Sequence, residues 1–206
     1  MVQQLIRNKM KRTNYIKEAL LQVTFVTTVL ILFASCSNSQ KPKDTKDVAE
    51  EHNEAKFDNN KQEKDAQFLV NAAEINLEEI QLGKLAQQNG TTTHVKELGK
   101  IMEDTHTKSL NDLTALAESK MITIPSSPTD NAKEAYKKLN EKSGADFDKA
   151  YADMMVSEHK DAIAAFEKAS TDGNDADIKN WATVSLPDLR KHLDHSIDCQ
   201  KKCNEM

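Results

Sequence analysis

Apolar and polar positions alternate along most of this chain with a helical period. From residue 65 onward large apolar side chains recur every three or four positions, and no stretch shows the strict in–out alternation of a half-buried strand. Glycine and proline are scarce and sit at the breaks. The pattern predicts four long helices. The first covers about residues 64–89 and stops at Asn89-Gly90. The second runs from the Thr91-Thr92-Thr93 start to about residue 120, before a loop containing Pro125 and Pro128. A short helix over 131–141 follows, with Asn131 and Glu134 spaced as a capping box. The third long helix covers about 146–169. The fourth starts at an Asp175 cap and ends near residue 203. Four amphipathic helices with short connections predict an all-α fold, a four-helix bundle with one short extra helix.

At about 100° per residue each long helix shows an apolar stripe interrupted by a titratable group. In the first, Glu79 sits among Phe68, Ala72, Ile75, Leu82 and Ala86. In the second, His106 sits among Val95, Gly99, Met102, Leu113 and Ala117, with Glu103 one turn back on the edge. In the third, Glu158 falls inside a stripe of Phe147, Tyr151, Met154, Ala162, Ala165 and Ala169, with His159 on its flank beside Phe166. In the fourth, Ile178, Trp181, Ala182, Ser185 and Leu189 lead on to His192, Ser196, Cys199 and Cys203. A lone buried carboxylate is costly, so these groups need partners, either each other or a metal ion. Glu79, Glu103, His106, Glu158, His159 and His192 are therefore the candidate ligands of a transition metal: iron, zinc or copper. Glu103-x-x-His106 has the i, i+3 spacing that offers two ligands from one helix. The same residues also fit a self-satisfied polar layer with no ion. His195, Cys199 and Cys203 form a second stripe near the C-terminus. Its spacing suits free thiols or a disulfide at the helix end better than a single soft-metal site. Pro187 inside the fourth helix removes one hydrogen bond and predicts a kink.

The N-terminal third reads differently. Arg7, Lys9, Lys11, Arg12 and Lys17 precede an apolar run over residues 19–33, which ends in Phe33-Ala34-Ser35-Cys36. A basic region, an apolar core and small residues before a cut describe a secretory signal over residues 1–35. The core is shorter than the roughly 20 residues that a spanning helix needs. The segment resembles a bacterial lipobox, which implies an acylated Cys36 and a membrane reached through a lipid anchor. Translation starting at Met10 would leave a more ordinary signal. Ser37 is not the Asp that retains many Gram-negative lipoproteins at the inner membrane, so the expected place is the outer membrane. Residues 36–62 are polar and charged, and predict a disordered tether ahead of a helical domain over 63–206.

The chain carries −5 overall, while residues 1–35 carry +4, leaving about −9 for the remainder. An acidic body offers no footprint for nucleic acid. No Ser/His/Asp elbow, Walker motif or glycine-rich phosphate loop occurs. The reading is a non-catalytic structural or interaction protein with an unidentified protein partner. A metal-binding or redox bundle is the alternative.

Several segments occur in a recognisable order: Glu79-Ile80-Gln81-Leu82-Gly83-Lys84-Leu85-Ala86, the stretch from Met102 to His106, Phe147-Asp148-x-x-Tyr151 with His159, and Leu186-Pro187-x-Leu189-x-x-His192-Leu193. Over about residues 65–196 the set resembles the bacterial domain of unknown function 4142. The resemblance implies a ferritin-like helical bundle and a place in the cell envelope, and no established activity. Thr105 stands where that family often has Asp. Leu189 stands where a ferritin-type di-iron site needs its second Glu, so a mononuclear site or none is expected.

Overall fold

The computed structural model describes residues 42–205. Among them there are six helices and no strand: α1 (Thr45–Lys56), α2 (Asn60–Asn89), α3 (Thr93–Ser119), α4 (Asp130–Asn140), α5 (Gly144–Asp172) and α6 (Ala176–Asn204). The all-helical reading is met. The signal segment and Cys36 lie outside the described residues. No described helix is long and apolar enough to cross a membrane.

The four long helices pair as two hairpins, α2 with α3 and α5 with α6. The α2–α3 pairing depends on two glycines. A Cβ on Gly83 would lie 2.5 Å from the Gly99 carbonyl oxygen, and one on Gly99 would lie 2.6 Å from that of Gly83. The two backbones touch there, and only glycine leaves room. The hairpins are tied by buried carboxylates at opposite ends. Asp65 of α2 accepts from the backbone N–H groups of Asn174 and Asp175, in the α5–α6 turn. Asp148 of α5 accepts from those of Thr91 and Thr92, in the α2–α3 turn. Each carboxylate satisfies donors that a helix start leaves unpaired.

The core has two apolar parts. One gathers Leu69, Ala73, Leu113, Phe166, Ile178 and Leu189. The other gathers Leu82, Leu85, Met102, Phe147, Tyr151 and Met155. Between them in sequence, near the midpoint of each long helix, lie the buried polar residues Asn76, Glu79, His106, His159 and His192.

Several expectations change. Residues 45–56, expected within a disordered tether over 36–62, form α1, packed on α2. Its anchors are mostly polar, which is why no apolar stripe announced it. Buried Asn53 exchanges two 2.8 Å hydrogen bonds with the backbone of Thr123. Asp44 caps the helix by accepting from Lys46 N at 2.7 Å, and it also accepts from the Asp130 N–H. Only Ala49 and Phe57 add buried apolar surface. The capping box at Asn131 is replaced by Thr129, whose hydroxyl accepts from the Ala132 N–H. The third long helix meets its expected stripe at Phe147, Tyr151, Ala162 and Ala169 and departs from it elsewhere. Met155, Val156 and Phe166 are buried, whereas Met154 is half-buried and Ala165 exposed. α6 runs unbroken through Pro187, which is exposed.

Candidate metal centre

His106 of α3, His159 of α5 and His192 of α6 meet in the polar layer. Their ring centroids are 5.7 Å (106–159), 5.2 Å (106–192) and 5.3 Å (159–192) apart. One nitrogen from each ring lies within 4.8 Å of the other two. All three rings are buried.

The outer hydrogen bonds fix which nitrogen faces inward. Asn76 donates its Nδ2–H to the Ala72 carbonyl at 2.8 Å, so its Oδ1 is the atom left to accept. His106 Nδ1 sits 3.0 Å from that oxygen and must carry the proton. His159 Nδ1 lies 2.8 Å from the Met155 carbonyl, which only accepts, so it too is the protonated nitrogen. The opposite atoms, His106 Nε2 and His159 Nε2, are then bare lone pairs. They are buried with no hydrogen-bond partner, as is His192 Nδ1. Buried polar atoms are nearly always satisfied, so three orphans in one place call for a specific explanation.

Electrostatics keep these rings neutral. Burial pushes His159 down to about 4 and His192 to about 3. His106 is held well below the ordinary imidazole range by burial and then by the other two rings. Glu79 lies beside them, its Oε1 3.5 Å from His159 Nδ1. Burial and then the Glu158 charge raise Glu79 well above the usual carboxylate range, so this approach joins two neutral groups and is no ion pair. Glu158, pushed up to about 8 by burial and then by Glu78, is the outer member of this carboxyl pair. The Tyr151 hydroxyl is a further buried atom without a partner, and Glu79 raises its pKa after burial does.

A cavity of about 290 Å³ opens beside the trio and reaches His106 and His192. Phe166, Trp181 and Leu189 form apolar wall, and Lys108, Asp112 and Asp188 give it charged edges.

The structure thus brings together His106, His159 and His192, with Glu79 behind them. It does not bring in Glu103, which is half-exposed on the flank of α3. Glu103 accepts there from Gln87 Nε2 at 2.6 Å and lies 3.8 Å from Lys84 Nζ. The Glu103-x-x-His106 pair therefore does not act as two ligands from one helix. His159, expected on the flank, is the inward residue of α5, and Glu158 is displaced to the edge. Asn76 was missed, since one Asn in an amphipathic helix reads as surface. In the C-terminal stripe His195 is exposed, and Cys199 and Cys203 are buried free thiols.

Comparison with curated proteins and with solved structures found no match. One family matches over residues 48–198, a span that contains all three imidazoles and their supporting residues, and the chain belongs to that family, Domain of unknown function (DUF4142).

Proposed function

We propose that this chain is an exported lipoprotein whose ferritin-like four-helix bundle holds a transition-metal ion between His106, His159 and His192. The observation that carries this reading is the convergence of three buried and unpartnered ring nitrogens from three helices, two of them, on His106 and His159, left bare by the hydrogen bonds of the opposite nitrogen. A buried lone pair is a cost without a partner, and a cation supplies one partner for all three. Imidazole sets of this kind suit zinc, copper, iron or nickel. Asn76 and the Met155 carbonyl orient two of the ligands from outside, as supporting groups do at metal centres. A cation there would draw the neighbouring Glu79 toward its carboxylate form and so offset part of its own charge. Three protein ligands leave a coordination position open, and the cavity at His106 and His192 gives small molecules a path to it. Holding a metal requires no nucleophile or acid–base pair, in keeping with a chain that has no catalytic motif.

The anchor rests on the sequence alone: a basic and apolar leader, then Cys36. An acidic domain carried on a lipid would sit away from anionic headgroups, and Ser37 favours the outer membrane.

The metal reading is tested by elemental analysis of protein purified without chelator, then reloaded with zinc, copper or iron. Stoichiometric binding in a chain carrying Cys199→Ser and Cys203→Ser, lost on adding His106→Ala, His159→Ala or His192→Ala, supports it. A chain that retains no transition metal after reloading overturns it. The anchor is tested separately: Cys36→Ser should abolish acyl labelling and leave an unprocessed precursor.

A further inference from the structure

A second donor cluster lies apart from the imidazole layer, at the end of the molecule where α3 begins and α6 finishes. His94 is the second residue of α3. Cys199 and Cys203 stand one turn apart on the inner face of α6, 3% and 0% exposed. One donor atom from each of the three residues lies within 4.8 Å of the others, and Cys203 Sγ is 3.5 Å from His94 Nε2. Three donors placed about 2.3 Å from a shared ion sit roughly 4 Å apart, so this spacing suits a common ion. The backbone already holds the donors in place. His94 follows the turn pinned by Asp148, whose oxygens accept from the N–H and hydroxyl groups of Thr91 and Thr92.

We propose that His94, Cys199 and Cys203 form a second metal site, of two-sulfur, one-nitrogen type, that binds zinc. Thiolate and imidazole donors together select thiophilic ions. Zinc is the choice within that class because two thiolates cancel its charge, and a neutral complex is the one that tolerates burial. Loading forms two Zn–S bonds and one Zn–N bond and releases the two thiol protons to solvent. His94 is only half-buried, so water can take the fourth position. The stripe of Cys199 and Cys203 with His195 lacked a geometry for one ion, because a straight helix cannot wrap its own ligands around it. The missing ligand comes from another helix, more than a hundred residues earlier in the chain.

The test uses the full chain carrying His192→Ala, so that the imidazole layer does not contribute. Cobalt(II) is added as a spectroscopic substitute for zinc. A thiolate-to-cobalt charge-transfer band that saturates at one ion per chain is expected, since imidazoles give no such band. Zinc should slow alkylation of Cys199 and Cys203, read by peptide mass mapping, by about tenfold or more, and a chelator should restore it. His94→Ala, at a half-exposed position, should weaken cobalt binding by about tenfold or more in a chain that keeps its helical circular dichroism. Three results each overturn the proposal: no charge-transfer band, alkylation that zinc does not slow, or unchanged cobalt affinity in His94→Ala. Cys199→Ser with Cys203→Ser should abolish the band in chains that keep their helical circular dichroism, and a band that survives there also refutes the site. None of these results depends on whether the three imidazoles bind metal.

Discussion

Asp148 on α5 grips Thr91 in the turn between α2 and α3, accepting from its backbone N–H at 2.9 Å and its hydroxyl at 2.6 Å. The two residues belong to different hairpins, so one buried carboxylate fixes both the start of α3 and the docking of the hairpins.

Asp148→Ala should therefore destabilise the domain strongly. Hydrogen bonds to a carboxylate are each worth about 1.5–3 kcal/mol, and the deletion removes at once those from the N–H and hydroxyl groups of both Thr91 and Thr92. A loss of at least about 3 kcal/mol in urea unfolding is expected. A loss below about 0.5 kcal/mol, the usual surface value, would mean that the turn is held some other way.

Gly83→Ala weighs two opposed effects. Alanine gains roughly 1 kcal/mol of helix propensity over glycine. Its methyl would meet the Gly99 carbonyl oxygen at 2.5 Å and Glu103 N at 2.9 Å, both backbone atoms that cannot swing aside. Overpacking costs about 1–3 kcal/mol, and more where nothing can move, so the clash wins. Thermal denaturation should give a lower Tm, and a rise would show that the helices separate easily.

Parts of this structure were readable from the residue pattern and parts were not. His106 and His192 were placed inward because strong apolar neighbours, Met102 and Leu113 on one helix and Ile178 and Leu189 on the other, fix the phase of each stripe. α5 is rich in alanine, which packs on either face and blurs the phase. Glu158 and His159 lie only one residue, about 100°, apart on the helix, so a blurred phase is enough to exchange them. α1 escaped notice because Asn53 and Asp44 hold it through hydrogen bonds instead of an apolar face. His94 carries no local signal at all. Its meaning depends on α6 ending beside it.

Metal-free protein should be most stable near pH 6.5. In the unfolded chain the imidazoles take up protons as pH falls below 6.5, while the folded chain refuses them until about 4 at His159 and about 3 at His192. Stability therefore falls with decreasing pH through that window. Glu79 and Glu158 act in the opposite sense. Unfolded, they ionise above 4.5, while folded Glu158 keeps its proton to about 8, so rising pH favours the unfolded chain between those values. Below 6.5 the three imidazoles outweigh the two carboxyls, and above it the carboxyls act unopposed by them. Urea midpoints measured with chelator present should rise and then fall across this range. Glu158→Gln should flatten the alkaline fall, and an unchanged profile in that variant would remove the carboxyl from the account.

Asn76 offers the sharpest separation between a metal centre and a polar layer that merely satisfies itself. It touches no proposed coordination position; its Oδ1 holds the Nδ1–H of His106, and its Nδ2 is fixed by the Ala72 carbonyl. If His106 Nε2 is a ligand atom, Asn76→Ala frees the ring to rotate and to change tautomer. Metal affinity should fall about 10–100-fold with the stoichiometry unchanged, the usual effect of losing such a supporting group. Asn76→Asp keeps the acceptor for His106 but loses the donor to the Ala72 carbonyl, so it should retain more of the affinity than Asn76→Ala does. In a metal-free polar layer, Asn76→Ala would cost only stability, about 1–3 kcal/mol for the unpaired ring nitrogen. Competition against a chromophoric chelator measures the first quantity and urea unfolding the second. A drop in stability with no change in affinity would mean that His106 does not bind the metal through the nitrogen opposite Asn76.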